Sequence, residues 1–203
     1  MNIDYSSYPD FYFSLINLFW VIIPALITGF LGYLYGLLKL RKEQQLKFNE
    51  RQLREFYSPI LGCVEEIKAK TNVREEIFKL SDPAWKKIVA EHSHPFLESD
   101  KYFEPFEKQI LYENNQFRNE LFTLYKKMFG IFSANISLAK SPTRKWYYEL
   151  ARFVEIWERW LADSIPIEVI KELNHNEKRL EPFYQDLKID MENLRKNISG
   201  KKT

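Results

Sequence analysis

The chain has a single cysteine, Cys63, so an internal disulfide framework is excluded. Its 6 glycines and 9 prolines in 203 residues are too few for a low-complexity chain, and 16% aromatic residues are too many for a disordered one. An excess of either charge is also missing. There are 30 Lys and Arg against 28 Asp and Glu, a net charge of +2, so nothing favours non-specific binding to nucleic acid. Nucleophile and phosphate motifs are absent: there is no Gly-x-Ser-x-Gly and no Walker loop. Histidine is scarce, with only His92, His94 and His175. None has an Arg four to six residues before it, so the Arg-then-His pattern of HEPN ribonucleases is missing.

Charge is also absent over one long stretch. From Phe11 to Leu38 no residue is charged, although the whole chain has a mean hydropathy of −0.41. About 20 apolar residues cross the hydrocarbon core as a helix, so this run predicts a transmembrane helix. A cleaved signal peptide fits poorly, because residues 1–10 hold no Lys or Arg, the run is too long, and no small-residue cleavage site follows. Asp4 and Asp10 precede the run; Lys39, Arg41, Lys42, Lys47, Arg51 and Arg54 follow it. The positive-inside bias predicts an outside N-terminus and a cytoplasmic C-terminal part. A lone unpaired cysteine agrees with that compartment.

The run is uneven around its axis. At 100° per residue, Ser14, Asn17, Pro24, Ala25, Thr28, Gly29, Gly32 and Gly36 share an arc of about 140°. Leu15, Phe19, Trp20, Leu26, Phe30 and Leu34 lie opposite. Lipid has no use for glycine, whereas close helix approach does; Ala25–Gly29 and Gly32–Gly36 are small-xxx-small pairs. Asn17, Ala25, Thr28, Gly29, Gly32 and Gly36 are therefore the expected self-association face.

After Leu40 the apolar spacing is helical nearly throughout, without convincing alternation. Leu46, Leu53, Ile60, Val64 and Ile67 predict a stalk that continues the membrane helix and bends near Ser58-Pro59. Ser81-Asp82-Pro83, Ser141-Pro142 and Ser164-Ile165-Pro166 read as helix starts. One stripe runs Phe103, Phe106, Ile110, Phe117, Leu121, Leu124, Met128, Ile131. A second is Trp146, Leu150, Phe153, Trp157, Leu161, and a third is Leu180, Phe183, Leu187, Met191, Leu194, Ile198. The expected fold is all-α: an extracytoplasmic tail (1–10), a transmembrane helix (11–40), a basic stalk helix (41–60), a cytoplasmic helical bundle (61–198) and a frayed tail (199–203).

Chemistry is thinly represented. Glu91-x-x-His94 and Glu172-x-x-His175 share the Glu-x-x-His spacing of di-iron carboxylate bundles, and His92-Ser93-His94 could clip a metal at the surface. His94 precedes Pro95 and His175 sits in Asn-His-Asn, so both read as helix ends; neither a metal site nor a cofactor is expected. Cys63, between Gly62 and Val64, reads as a buried inert thiol. Arg144-Lys145-Trp146-Tyr147-Tyr148 reads as an exposed basic edge with a core tryptophan rather than a nucleotide site.

The run Arg51-Gln-Leu-Arg-Glu-Phe-Tyr-Ser-Pro-Ile-Leu-Gly62, with Ser81-Asp-Pro-Ala-Trp85 and Glu181-Pro-Phe-Tyr-Gln-Asp-Leu187, resembles a family of small bacterial single-pass membrane proteins. In that family a membrane helix precedes an Arg-rich stalk and a helical cytoplasmic domain. The resemblance implies the bacterial inner membrane and no particular mechanism. The architecture alone is also similar to membrane effectors of phage-defence systems. Three functions follow as expectations. The leading one is a non-enzymatic, membrane-anchored scaffold that forms homo-oligomers, contacting lipid and a cytoplasmic protein partner but not nucleic acid. The others are a phage-defence effector that disturbs the membrane and a membrane-tethered hydrolase or metal enzyme.

Overall fold

The computed structural model describes residues 8–91 and 102–200; in the first helix, side chains are described at Trp20 and from Ile22 onward. Among these residues the chain is helical, with no strand. It divides into two units between Phe48 and Asn49.

The first unit is built from helix α1 (Tyr8–Gln52), which runs on into the second. Three residues of the expected tail, Tyr8 to Asp10, are already helical. The helix continues through Pro24, which has no N–H to give to Trp20 and so breaks one rung of the ladder. Its apolar window has a mean hydropathy of 1.5, and none of it is buried. One long apolar helix near the N-terminus is thus long enough to cross a membrane.

In the second unit α1 gives way to a π turn at Leu53–Tyr57, closed by the Ser58 N–H donating to the Leu53 carbonyl. The departure from α geometry falls just before the Ser58-Pro59 position read from the sequence. Pro59 has no N–H for the carbonyl four residues back, and its ring crowds that carbonyl, so the preceding turn widens. The wide turn sends two neighbours, Phe56 and Tyr57, into the core together. Residues 49–60, expected as stalk, are therefore part of the packed unit: Asn49, Gln52, Phe56, Tyr57 and Ile60 are all buried. A second π turn at Phe117–Leu121 repeats the device, and the neighbours Leu121 and Phe122 are both buried.

Helix α2 (Ser58–Glu91) follows, then α3 (Glu104–Gln116), α4 (Phe122–Ala134), the short α5 (Ser141–Arg144), α6 (Tyr147–Leu161), the short α7 (Ile167–Glu172) and α8 (Glu181–Ser199). The start of α2 packs against α4 and α8, and α4 packs against α6. Phe56, Phe132 and Phe183 form the centre, with ring centroids 5.1 Å and 5.8 Å apart. Leu150, Leu187 and Leu194 close around them. Gly200 ends α8 in the left-handed conformation that favours glycine. Residues 201–203 of the expected frayed tail lie outside the described residues.

Two further sequence expectations change. Ser81-Asp82-Pro83 does not begin a helix: Pro83 lies inside α2. The Ser81 hydroxyl donates to the Phe78 carbonyl (3.2 Å) and Asp82 pairs with Lys86 (2.7 Å), which supports the helix around the interruption. Ile110, expected in the core stripe, is exposed, because α3 buries none of its residues.

Candidate functional site

On α1 the expected small-residue face is open. A Cβ built on Gly29, Gly32 or Gly36 meets nothing within 4 Å. Thr28 turns its hydroxyl back to the Pro24 carbonyl, a bond within its own helix. The arc from Ala25 to Gly36 therefore offers small volume and little free polarity. The side chains of Ser14 and Asn17 lie outside the described residues. Trp20, Leu26 and Phe30, opposite the arc, are exposed as well.

A second open surface lies in the other unit, where the far part of α2 runs beside α3. Its seam is polar. The Arg74 guanidinium donates to Glu113 (3.0 Å), and the Gln109 amide donates to the other Glu113 oxygen (2.9 Å) and to the Ser81 hydroxyl (3.4 Å). Apolar side chains flank this seam on both sides. On one flank Trp85 stacks edge-on against Phe103 (5.4 Å) and Phe106 (5.2 Å). There Phe78, Trp85, Phe106 and Ile110 line a groove of about 190 Å³. On the other flank Val73, Ile77 and Tyr112 line a wider one of about 340 Å³. Sequence periodicity missed this inversion, because helical spacing marks an apolar stripe without saying what faces it.

The candidate metal residues that are described, Glu91, Glu172 and His175, form no metal-binding group. Glu91 ends α2, and its partner His94 lies outside the described residues, as does His92. Glu172 ends α7 and is exposed. His175 turns inward between α7 and the next short helix, with its ring 4.7 Å from Phe153 and 5.2 Å from Trp157. Both of its ring nitrogens are buried without a hydrogen-bond partner. Burial, aided by the charges of Arg152 and Arg179, lowers its pKa to about 4, so the imidazole is neutral at pH 7. Among the described residues no group of three or more His, Cys, Asp or Glu could hold a metal. Cys63 is buried, and that burial raises its pKa, which keeps the thiol protonated.

The basic-aromatic run from Arg144 to Tyr148 is dispersed. The Trp146 indole donates to Asp186 (2.7 Å), Lys145 pairs with the same carboxylate (3.1 Å), and Arg144 donates to the Ala139 carbonyl (2.8 Å). These contacts are structural.

A polar knot went unseen in the sequence. Thr143 and Tyr57 donate to Asp190 (2.7 and 3.2 Å), the Lys140 amide donates to the Tyr57 oxygen (2.9 Å), and the Lys140 ammonium lies 3.9 Å from Asp190. Beside it the Gln52 amide donates to the Leu138 carbonyl (2.6 Å). Burial pushes the Tyr57 hydroxyl up to about pKa 12, so it acts as a donor and not as a base. The knot ties three distant chain segments together. Its residues lie 47 to 133 positions apart in pairs, a separation that no local motif reveals.

No protein-family model matches this chain, and no curated protein or solved structure matches it.

Proposed function

We propose that this protein is a non-enzymatic, membrane-anchored interaction protein that self-associates through its N-terminal helix. The helix crosses a bacterial inner membrane with its N-terminus outside, and the second unit is cytoplasmic. The observation that carries the reading is the fully exposed apolar window of α1 beside an arc of unfilled small residues. In lipid, helices gain nothing hydrophobic by pairing, so attraction comes from close packing over small residues. Because Thr28 spends its hydroxyl on its own helix, the arc suits a dry helix–helix contact better than a water-lined path. Six Lys and Arg from Lys39 to Arg54, against none in residues 1–10, support the orientation. The resemblance of Arg51 to Gly62 to single-pass bacterial proteins supports the setting.

Ala25→Cys in the full chain, oxidised in isolated membranes, tests the contact. Disulfide-linked dimers should form and should vanish when Gly32 and Gly36 are both replaced by Ile. They should persist when Leu26 and Phe30 are replaced instead. A Cβ added at either glycine meets nothing within 4 Å, so the loss reports contact between copies. Equal linking in both variants would remove the arc from the reading; no linking in any of them would leave a monomeric anchor.

A further inference from the structure

The α2–α3 pair is polar along the middle of its seam and apolar on its flanks. Arg74, Gln109 and Glu113 occupy the middle of its seam and Trp85 meets Phe103 and Phe106 at one end, while Val73, Ile77, Phe78, Ile110 and Tyr112 lie exposed on two sides. A pair of helices standing alone stabilises itself by burying apolar residues in the seam and leaving polar ones outside. Here the two flanks call for cover from elsewhere. Phe78, Trp85, Val89 and Ile110 mark the first flank; Val73, Ile77, Leu80 and Tyr112 mark the second. Val89 and Leu80 fall on these flanks by helical spacing from Trp85 and Ile77.

We propose that the α2–α3 pair is a docking surface for further copies of this chain, joined head to tail, the first flank of one copy covering the second flank of the next. The inference extends the self-association proposed above from the membrane helix to the second unit, and rests on that reading.

Three observations select a copy of the chain as the occupant. The first is area. At roughly 150–250 Å² for an aromatic side chain and less for Val, Ile or Leu, four partly exposed ones present on the order of 300 Å² per flank. One flank on another then removes about 600 Å² of apolar surface, the apolar half of an interface of roughly 1,200 Å², at the lower end of the range for stable contacts. The second is charge. Residues 68–91 and 102–116 carry 7 Lys and Arg against 7 Asp and Glu. A surface for anionic lipid would be basic, whereas a neutral, mixed rim meets its own copy without like-charge repulsion. The third is shape. Leu80, 75% exposed, is the most exposed large apolar residue of α2, and the opposite flank holds the aromatic groove of about 190 Å³. Two unlike flanks that fit each other make a heterologous contact, which propagates to rings or filaments instead of stopping at a dimer.

The test uses the full chain in isolated membranes and a short bis-maleimide. Buried Cys63 supplies little background. Leu80→Cys with Ile110→Cys in one chain should give a ladder of trimers and larger species. Either cysteine alone should give none, and a mixture of the two single variants should give dimers and nothing larger. Adding Ile77→Asp, at an exposed site, should weaken the ladder at least tenfold without changing the melting temperature. Dimers from either single variant would overturn the head-to-tail contact. A double variant without a ladder would overturn the docking surface, as would products containing a second, different protein. Disulfides at Ala25→Cys, measured on the same membranes, separate the two readings: if they form while the ladder does not, the membrane-helix contact stands and the docking surface falls.

Discussion

The two ends of α2 obey opposite rules. From Ile60 to Ile67 the helix buries Ile60, Leu61, Cys63, Val64 and Ile67 against α4 and α8. Beyond Ile67, Ile77 and Phe78 lie open and Arg74 takes the inward position beside α3. The same helix and a similar composition thus give a finished core at one end and an unfinished surface at the other. Amphipathic spacing is necessary for a helix to pack, but the identity of the facing element decides which stripe is used. The finished part stabilises the unit. The unfinished part is held by polar contacts that contribute little and by the rings of Trp85, Phe103 and Phe106, and it leaves other apolar surface exposed.

That contrast can be broken most severely in the core. Phe183→Ala removes a fully buried ring stacked 5.8 Å from Phe132, and should cost about 3–5 kcal/mol. Urea unfolding in detergent, followed by tryptophan fluorescence, measures it. A loss below about 1 kcal/mol would show that this core is not close-packed.

A smaller effect is expected at the polar knot. Asp190→Leu leaves the hydroxyls of Tyr57 and Thr143 buried without their shared acceptor, which should cost about 1–3 kcal/mol in the same assay. An unchanged midpoint would mean that water replaces the carboxylate.

His175 sharpens the comparison through pH. Its folded pKa is lowered to about 4, against about 6.5 unfolded, so the unfolded chain binds a proton that the folded chain refuses. No protonation penalty applies above pH 6.5, and stability is lost as the pH falls from there towards 4. The difference in melting temperature between His175→Phe and the natural chain should therefore shift in favour of the variant by a few degrees between pH 7 and pH 4.5. Identical acid profiles would place the imidazole in contact with water.

The smallest effect belongs to the polar seam. Arg74 is partly exposed, so Arg74→Leu should change stability by no more than about 0.5–1 kcal/mol. A cost approaching that of Phe183→Ala would make the seam a second core and erase the distinction between the two ends of α2.

Much of the second unit's core was legible from spacing alone. Leu150 and Phe153 on α6 and Leu180, Phe183, Leu187 and Leu194 at α8 are buried as their stripes predict. Helix starts were legible where proline had a free chain before it, at Ser141-Pro142 and Ser164-Ile165-Pro166. The same signal misled at Ser81-Asp82-Pro83, where the surrounding helix carries on past the missing donor. Glu172 and His175 share a promising spacing, but a turn sends one to solvent and the other under Phe153 and Trp157.

The sequence by itself determined that the chain is helical and that it begins with an apolar helix long enough to cross a membrane. Both properties are local: a period of 3.6 and an uncharged run can be read in one dimension. Only the tertiary structure decided that residues 49–60 enter the core, that Tyr57, Thr143 and Asp190 meet, and that α3 turns Gln109 and Glu113 to α2. Each of these depends on which segments lie opposite one another, and a single helix carries no record of its neighbour.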